Sequence, residues 1–169
     1  YEMRCRLVGS KMCIRDRFEI LKTLGPVVLF DLFSGNGNLS NAYADYCQQQ
    51  GTDLTRKMLD VHGANDKPGF IQSNLFDNDA LTRFKQKCAI KKADVFLLDP
   101  PRKGFENLGL WVAQFKPKYL LYVSCDPVTL MRDIKSLPVK SIIKKVQLFD
   151  MFPGSYHFES LVLLELKKR

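Results

Sequence analysis

GPVVLFDLFSGNGN, residues 25–38, is a short apolar run that breaks off at a glycine-rich turn. A continuous hydrophobic run of this length, with no polar alternation, reads as a parallel strand buried on both faces. Gly35 and Gly37 allow a tight turn and close backbone approach to a ligand. A helix is expected next, over residues 39–50.

Outward from this stretch, strands and helices alternate. RKMLDVH (56–62) and GFIQSN (69–74) read as strands. DNDALTRFKQKCAI (77–90) reads as a helix capped by Asp77 or Asn78. ADVFLLD (93–99) and KYLLYVSC (118–125) are strands; NLGLWVAQF (107–115) and DPVTLMRDIKSL (126–137) are helices. VKSIIKKVQLFDMF (139–152) and FESLVLLELKK (158–168) are strands with no helix between them, so the last is expected to run antiparallel. This order gives an α/β fold with a mostly parallel sheet, and it suits a Rossmann-like class I S-adenosylmethionine-dependent methyltransferase domain. GANDKP (63–68) is too short for the usual helix between the second and third strands, so that helix is expected to be missing.

Residues 1–17, YEMRCRLVGSKMCIRDR, show neither helical nor strand periodicity. MCIRDR resembles the in-frame translation of a sequencing-library transposon end. The stretch is therefore set apart as a non-native leader, with the catalytic domain at 18–169; a basic RNA-contacting arm is the other reading. The chain carries a formal net charge of +8, of which residues 18–169 hold +5. That balance suits a polyanionic partner without proving one. Five cysteines without a CxxC pair and only two histidines argue against a metal site. An odd cysteine count suits a reducing cytoplasm, and no apolar run is long enough to span a membrane. A monomer is expected.

The chemistry gathers at strand ends. The turn after Asp31 lacks the third glycine of a dinucleotide fingerprint, and no basic residue waits for a phosphate. It suits S-adenosyl-L-methionine, with Asp31 as acceptor for the amino group. Asp60 is the candidate for the ribose hydroxyls, and Asn74 or Asp77 for the adenine. Asp99-Pro-Pro-Arg102 aims a carboxylate into the carboxyl-edge crevice and follows it with arginine, where amino-directed methyltransferases often carry an aromatic. Cys125 precedes Asp126-Pro127, a helix start whose partial positive charge favours a thiolate, although Asp126 opposes it. Cys47 and Cys88 read as structural. A thiolate added to C6 of uracil makes C5 reactive towards a methyl sulfonium. The C5 proton must then leave, which needs a base. Glu159, entering a buried strand, is the candidate, with His157 the alternative.

DLFSGNGN, LLDPPRKG, YVSCDP and MFPGSYHFES together resemble the ordered motifs of the tRNA and ribosomal RNA uracil-5-methyltransferase family, from Asp31 to about Glu165. The resemblance implies Cys125 as nucleophile and Glu159 as proton acceptor. It places cofactor contacts at Phe33, Asn38, Asp60 and Asp99, and a tRNA or rRNA substrate near Asp99 and Arg102. Ser34 stands where the family often has Cys, and Asp126 where it usually has Asn. The family's RNA-binding barrel and central domain have no counterpart upstream, so the chain is expected to be a fragment.

Overall fold

The computed structural model describes residues 3–7, 10–62, 67–150 and 158–167, with side chains from Arg15 onward. In chain order the elements are β1 (Met3–Leu7), α1 (Ser10–Leu24), β2 (Val28–Leu32), α2 (Asn38–Gln50), β3 (Thr55–Asp60) and β4 (Phe70–Gln72). There follow α3 (Ala80–Lys87), β5 (Val95–Leu98), α4 (Leu108–Phe115), β6 (Tyr119–Ser124), α5 (Pro127–Lys135), β7 (Lys140–Asp150) and β8 (Phe158–Lys167). Among the described residues they form one eight-stranded sheet ordered β1-β7-β8-β6-β5-β2-β3-β4. Only β8 runs against its neighbours, as the missing helix before it requires.

The central strands are apolar throughout because helices cover both faces. Leu29, Val95, Leu97, Leu121 and Val123 pack on one side with Leu21 of α1 and Leu39 and Tyr43 of α2. Phe30, Phe96, Leu120 and Tyr122 alternate onto the other side, against Phe84 of α3, Trp111 and Phe115 of α4 and Leu130 of α5. The aromatic centre of this second layer holds Phe30 edge-on to Phe84 and Phe115, at centroid distances of 5.3 and 5.0 Å.

Two local readings are corrected. The stretch set apart for lack of periodicity is helical from Ser10, and α1 runs unbroken across position 17. Its neighbour β1 adds a parallel edge strand to β7. The cap of α3 is Asp79, not Asp77 or Asn78, because Asp77 is engaged elsewhere: it accepts from Asn74 at 2.6 Å and from Arg83 at 2.7 Å. Between β3 and β4 the described residues contain no helix, and residues 63–66 lie outside them.

Candidate functional site

The carboxyl ends of β2, β3, β4 and β5 open on one cavity of about 680 Å³, lined among others by Phe33, Gly35, Asn38, Asp60, Phe76, Asp99 and Glu159. Because β8 is antiparallel, its first residues reach the same edge as the ends of the parallel strands. The sequence therefore delivers residues far apart in the chain to one rim.

Phe33 begins the turn after β2 with φ 63°, an uncommon conformation for a side chain of this size. Its ring is held edge-on to Phe105 at 5.0 Å and packs with Phe76 at 5.4 Å. The turn is tied across to β3: Gly35 N–H donates to Asp60 Oδ2 at 2.8 Å, and His62 N–H to Asp60 Oδ1 at 3.0 Å. Asp60 thus lies at the end of a strand and on the cavity wall, with lone pairs remaining on both oxygens.

The two glycines differ. A side chain at Gly35 would meet open space, whereas one at Gly37 would meet Met58 Sδ at 2.6 Å and Asn41 Oδ1 at 3.0 Å. Gly37 does not line the cavity. Its lack of a side chain lets the turn seat on β3 and α2.

Asp31 is also displaced from its expected place. It is wholly buried beneath the turn and absent from the wall, with Oδ2 accepting from Ser40 at 2.5 Å and Oδ1 unpartnered. Burial pushes its pKa up to about 7, against the Ser40 hydrogen bond and the Arg56 guanidinium, which lower it. A carboxyl that keeps its proton when folded and loses it near pH 4 when unfolded makes stability fall as pH rises between those values. Asp31→Asn is expected to flatten the decline in Tm between about pH 5 and pH 7, a term worth at most about 4 kcal/mol. An equal slope in both proteins would show that Asp31 does not titrate in that range. Asp99 lines the cavity and keeps contact with solvent there; partial desolvation in the concavity raises its pKa to about 6 while Arg17 lowers it.

At the neighbouring strand end, Cys125 is exposed, outside the cavity lining. Pro127 opens α5 and Asp126 caps it, its Oδ1 accepting from Val128 N–H at 2.8 Å and Thr129 N–H at 3.3 Å. Asp126, which was expected to oppose a thiolate at Cys125, thus binds the first free N–H groups of α5. The β6–β8 ladder pairs Ser124 with Ser160, and Ser160 Oγ donates to Ser124 O at 2.9 Å. The ladder ends there; Cys125 directly follows Ser124 and Glu159 directly precedes Ser160, so both adjoin its last pair. Glu159 Oε2 lies 3.6 Å from Arg17 Nη2. Arg102 is exposed on the turn after Asp99, outside the lining, and His157 falls outside the described residues.

Sequence reasoning passed over several wall residues. Leu75 and Phe76 lie in the loop after β4, between the Asn74 and Asp77 singled out for the adenine; those two hydrogen-bond each other and do not line the cavity. Arg17, also on the wall, belonged to the stretch set aside. Among the described residues no group of three metal-ligating side chains occurs, and no helix is long and apolar enough to cross a membrane.

Residues 8–167 match the family model described as tRNA (uracil-5-)-methyltransferase. The chain is 36% identical over 154 residues to the 23S rRNA (uracil(747)-C(5))-methyltransferase RlmC of Shewanella halifaxensis, covering 86% of this chain and 39% of that protein. To the 23S rRNA (uracil(1939)-C(5))-methyltransferase RlmD of Shewanella sediminis it is 35% identical over 144 residues, covering 82% and 32% respectively. The chain thus spans well under half the length of these curated relatives. Among solved structures, the fold is similar to a Pyrococcus abyssi tRNA (uracil-54, C5)-methyltransferase in complex with S-adenosyl-L-homocysteine, with a TM-score of 0.60 and 23% identity, covering 90% of this chain and 37% of that one. A putative class I S-adenosylmethionine-dependent methyltransferase from Listeria monocytogenes superposes with a TM-score of 0.64 at 14% identity, covering 95% and 61%.

Proposed function

We propose that this chain, which belongs to the tRNA (uracil-5-)-methyltransferase family, transfers a methyl group to carbon 5 of a uridine in tRNA or ribosomal RNA. The observation that carries the reading is the β6–β8 ladder, whose last pair, Ser124 with Ser160, has Cys125 and Glu159 as its chain neighbours, with Glu159 on the cavity wall.

The cavity suits S-adenosyl-L-methionine. Its volume of about 680 Å³ is that of a small-molecule site. Asp60 offers acceptors for ribose hydroxyls, while Phe33, Leu75 and Phe76 offer an apolar wall for an adenine. Bound there, the cofactor supplies a methyl group on a positively charged sulfur.

The chain's own residues do the rest. Cys125 Sγ adds as thiolate to C6 of the uracil, and the C5=C6 π pair moves towards O4, leaving C5 nucleophilic. After C5 has been methylated, the Glu159 carboxylate takes the C5 proton. The C5–H electron pair then re-forms C5=C6, and Sγ leaves C6. Asp99 and Arg102, on the turn beside the cavity, are the proposed contacts to the uracil.

Incubation of the chain with tRNA or 23S rRNA and methyl-labelled cofactor, followed by nucleoside chromatography, is expected to place the label in 5-methyluridine. Label in another nucleoside would assign a different base. Calorimetric cofactor binding without any label transfer would make this chain a binding domain only.

A further inference from the structure

The pairing of β5 with β6 ends at Leu98 and Tyr122, three residues short of Cys125. Beyond that point no ladder holds the Asp99–Arg102 turn against the segment that carries the thiol. A buried carboxylate takes over. Asp133, 1% exposed on α5, accepts at Oδ2 from Phe105 N–H at 2.5 Å and from Tyr122 O–H at 2.6 Å. At Oδ1 it accepts from Arg132 Nη2 at 2.8 Å and Nε at 3.0 Å. The same Arg132 Nη2 donates to Lys103 O at 2.6 Å, and Thr129 Oγ1 donates to Arg102 O at 3.0 Å. Gly104 is left so little room that a Cβ would meet Asp133 Oδ2 at 2.5 Å.

We propose that Asp133 is a positioning residue that fixes the turn carrying Asp99 and Arg102 at a set separation from Cys125. The inference rests on the methyl-transfer reading above. Its geometry has one consequence that a simple core hydrogen bond lacks. Tyr122 lies three residues before Cys125 in β6, and Asp133 eight residues after it in α5, so the strand and the helix on either side of the nucleophile are tied to the turn that would hold the uracil. The Asp60 and Gly35 side of the cavity shares no hydrogen bond with this group. Phe105 also backs Phe33 on the cofactor wall at 5.0 Å, so loss of Asp133 should slow the reaction at Cys125 far more than it weakens cofactor binding.

The test uses RNA carrying 5-fluorouridine, which retains a covalent adduct because fluorine does not leave as a proton. The rate of adduct formation at saturating RNA and cofactor is compared with the cofactor Kd from calorimetry. Asp133→Asn is expected to lower that rate at least about tenfold, the scale of misplacing a reacting group by a fraction of an ångström, with the Kd within about twofold. Tyr122→Phe, which removes one hydroxyl and keeps the ring in the core, is expected to lower it about threefold on the same argument. An unchanged adduct rate in either folded variant overturns the proposal. So does a parallel loss of adduct rate and cofactor affinity, since that is general loosening of the fold. If Asp133→Asn does not fold, Tyr122→Phe decides alone. If wild-type chain forms no adduct, the methyl-transfer reading itself fails and this inference falls with it, a result distinct from the variants behaving like a reactive wild type.

Discussion

Cys125→Ala is expected to abolish methyl transfer and, with it, all trapping on RNA that carries 5-fluorouridine. Carbon 5 of uracil is a weak nucleophile until an electron pair is donated through C6, and among the cysteines with described side chains Cys125 is the exposed one. Removing a covalent nucleophile typically costs a factor of 10³ or more, about 10⁶ where the catalytic groups act as a unit. Cofactor affinity should remain, since Cys125 is not on the cavity wall. Cys47 and Cys88 are the internal controls. They are 2% and 6% exposed, packed in the two core layers, so their alanine variants should lose some stability and keep trapping. Trapping that persists in Cys125→Ala, or that maps by peptide analysis to another cysteine, would remove Cys125 from the mechanism.

The sheet was legible wherever burial is two-sided. Val95–Leu98 is buried at every position, and its sequence is correspondingly apolar without alternation. Asp126 and Pro127 marked the start of α5 because a cap and a first-turn proline act locally. Other features depend on what lies across the fold. The glycine pattern predicted turns at 35 and 37 but not their facing, which is decided by Met58 and Asn41 behind Gly37. Asp77 had the composition of a cap, yet Asn74 and Arg83 claim its carboxylate and leave Asp79 at the helix start. Asp31 looked like a ligand contact because it ends a strand at the correct edge; its hydrogen bond to Ser40 turns it inward. In α1 the charged run around Arg15–Arg17 hides a helix whose buried face is completed by Ile20 and Leu21. The Cys125–Glu159 relation needs the β6–β8 register, which no stretch of sequence contains.

Glu159→Gln is expected to stop the reaction after methyl transfer and leave RNA bound to the protein. Cys125 adds, and C5 receives its methyl group, before any proton must leave C5. Glutamine keeps the size and much of the hydrogen bonding of Glu159 but has no basic oxygen to accept that proton. The variant should therefore bind cofactor, form the thioether and accept the methyl group, then stall because elimination of Sγ waits for the proton. The measurement is a denaturing gel of protein, unmodified RNA and methyl-labelled cofactor. A band of protein–RNA adduct carrying the label is expected, far stronger than in wild type, together with a loss of released 5-methyluridine of about 10²–10⁴-fold, the range for a positioned base. Release of methylated RNA at the normal rate would show that Glu159 is not the base and would turn attention to His157. Absence of any adduct, with cofactor affinity intact, would instead place Glu159 earlier, in orienting the uracil beside Cys125. The later role is supported by its place at the mouth of β8, on the wall of the cavity that would present the methyl group.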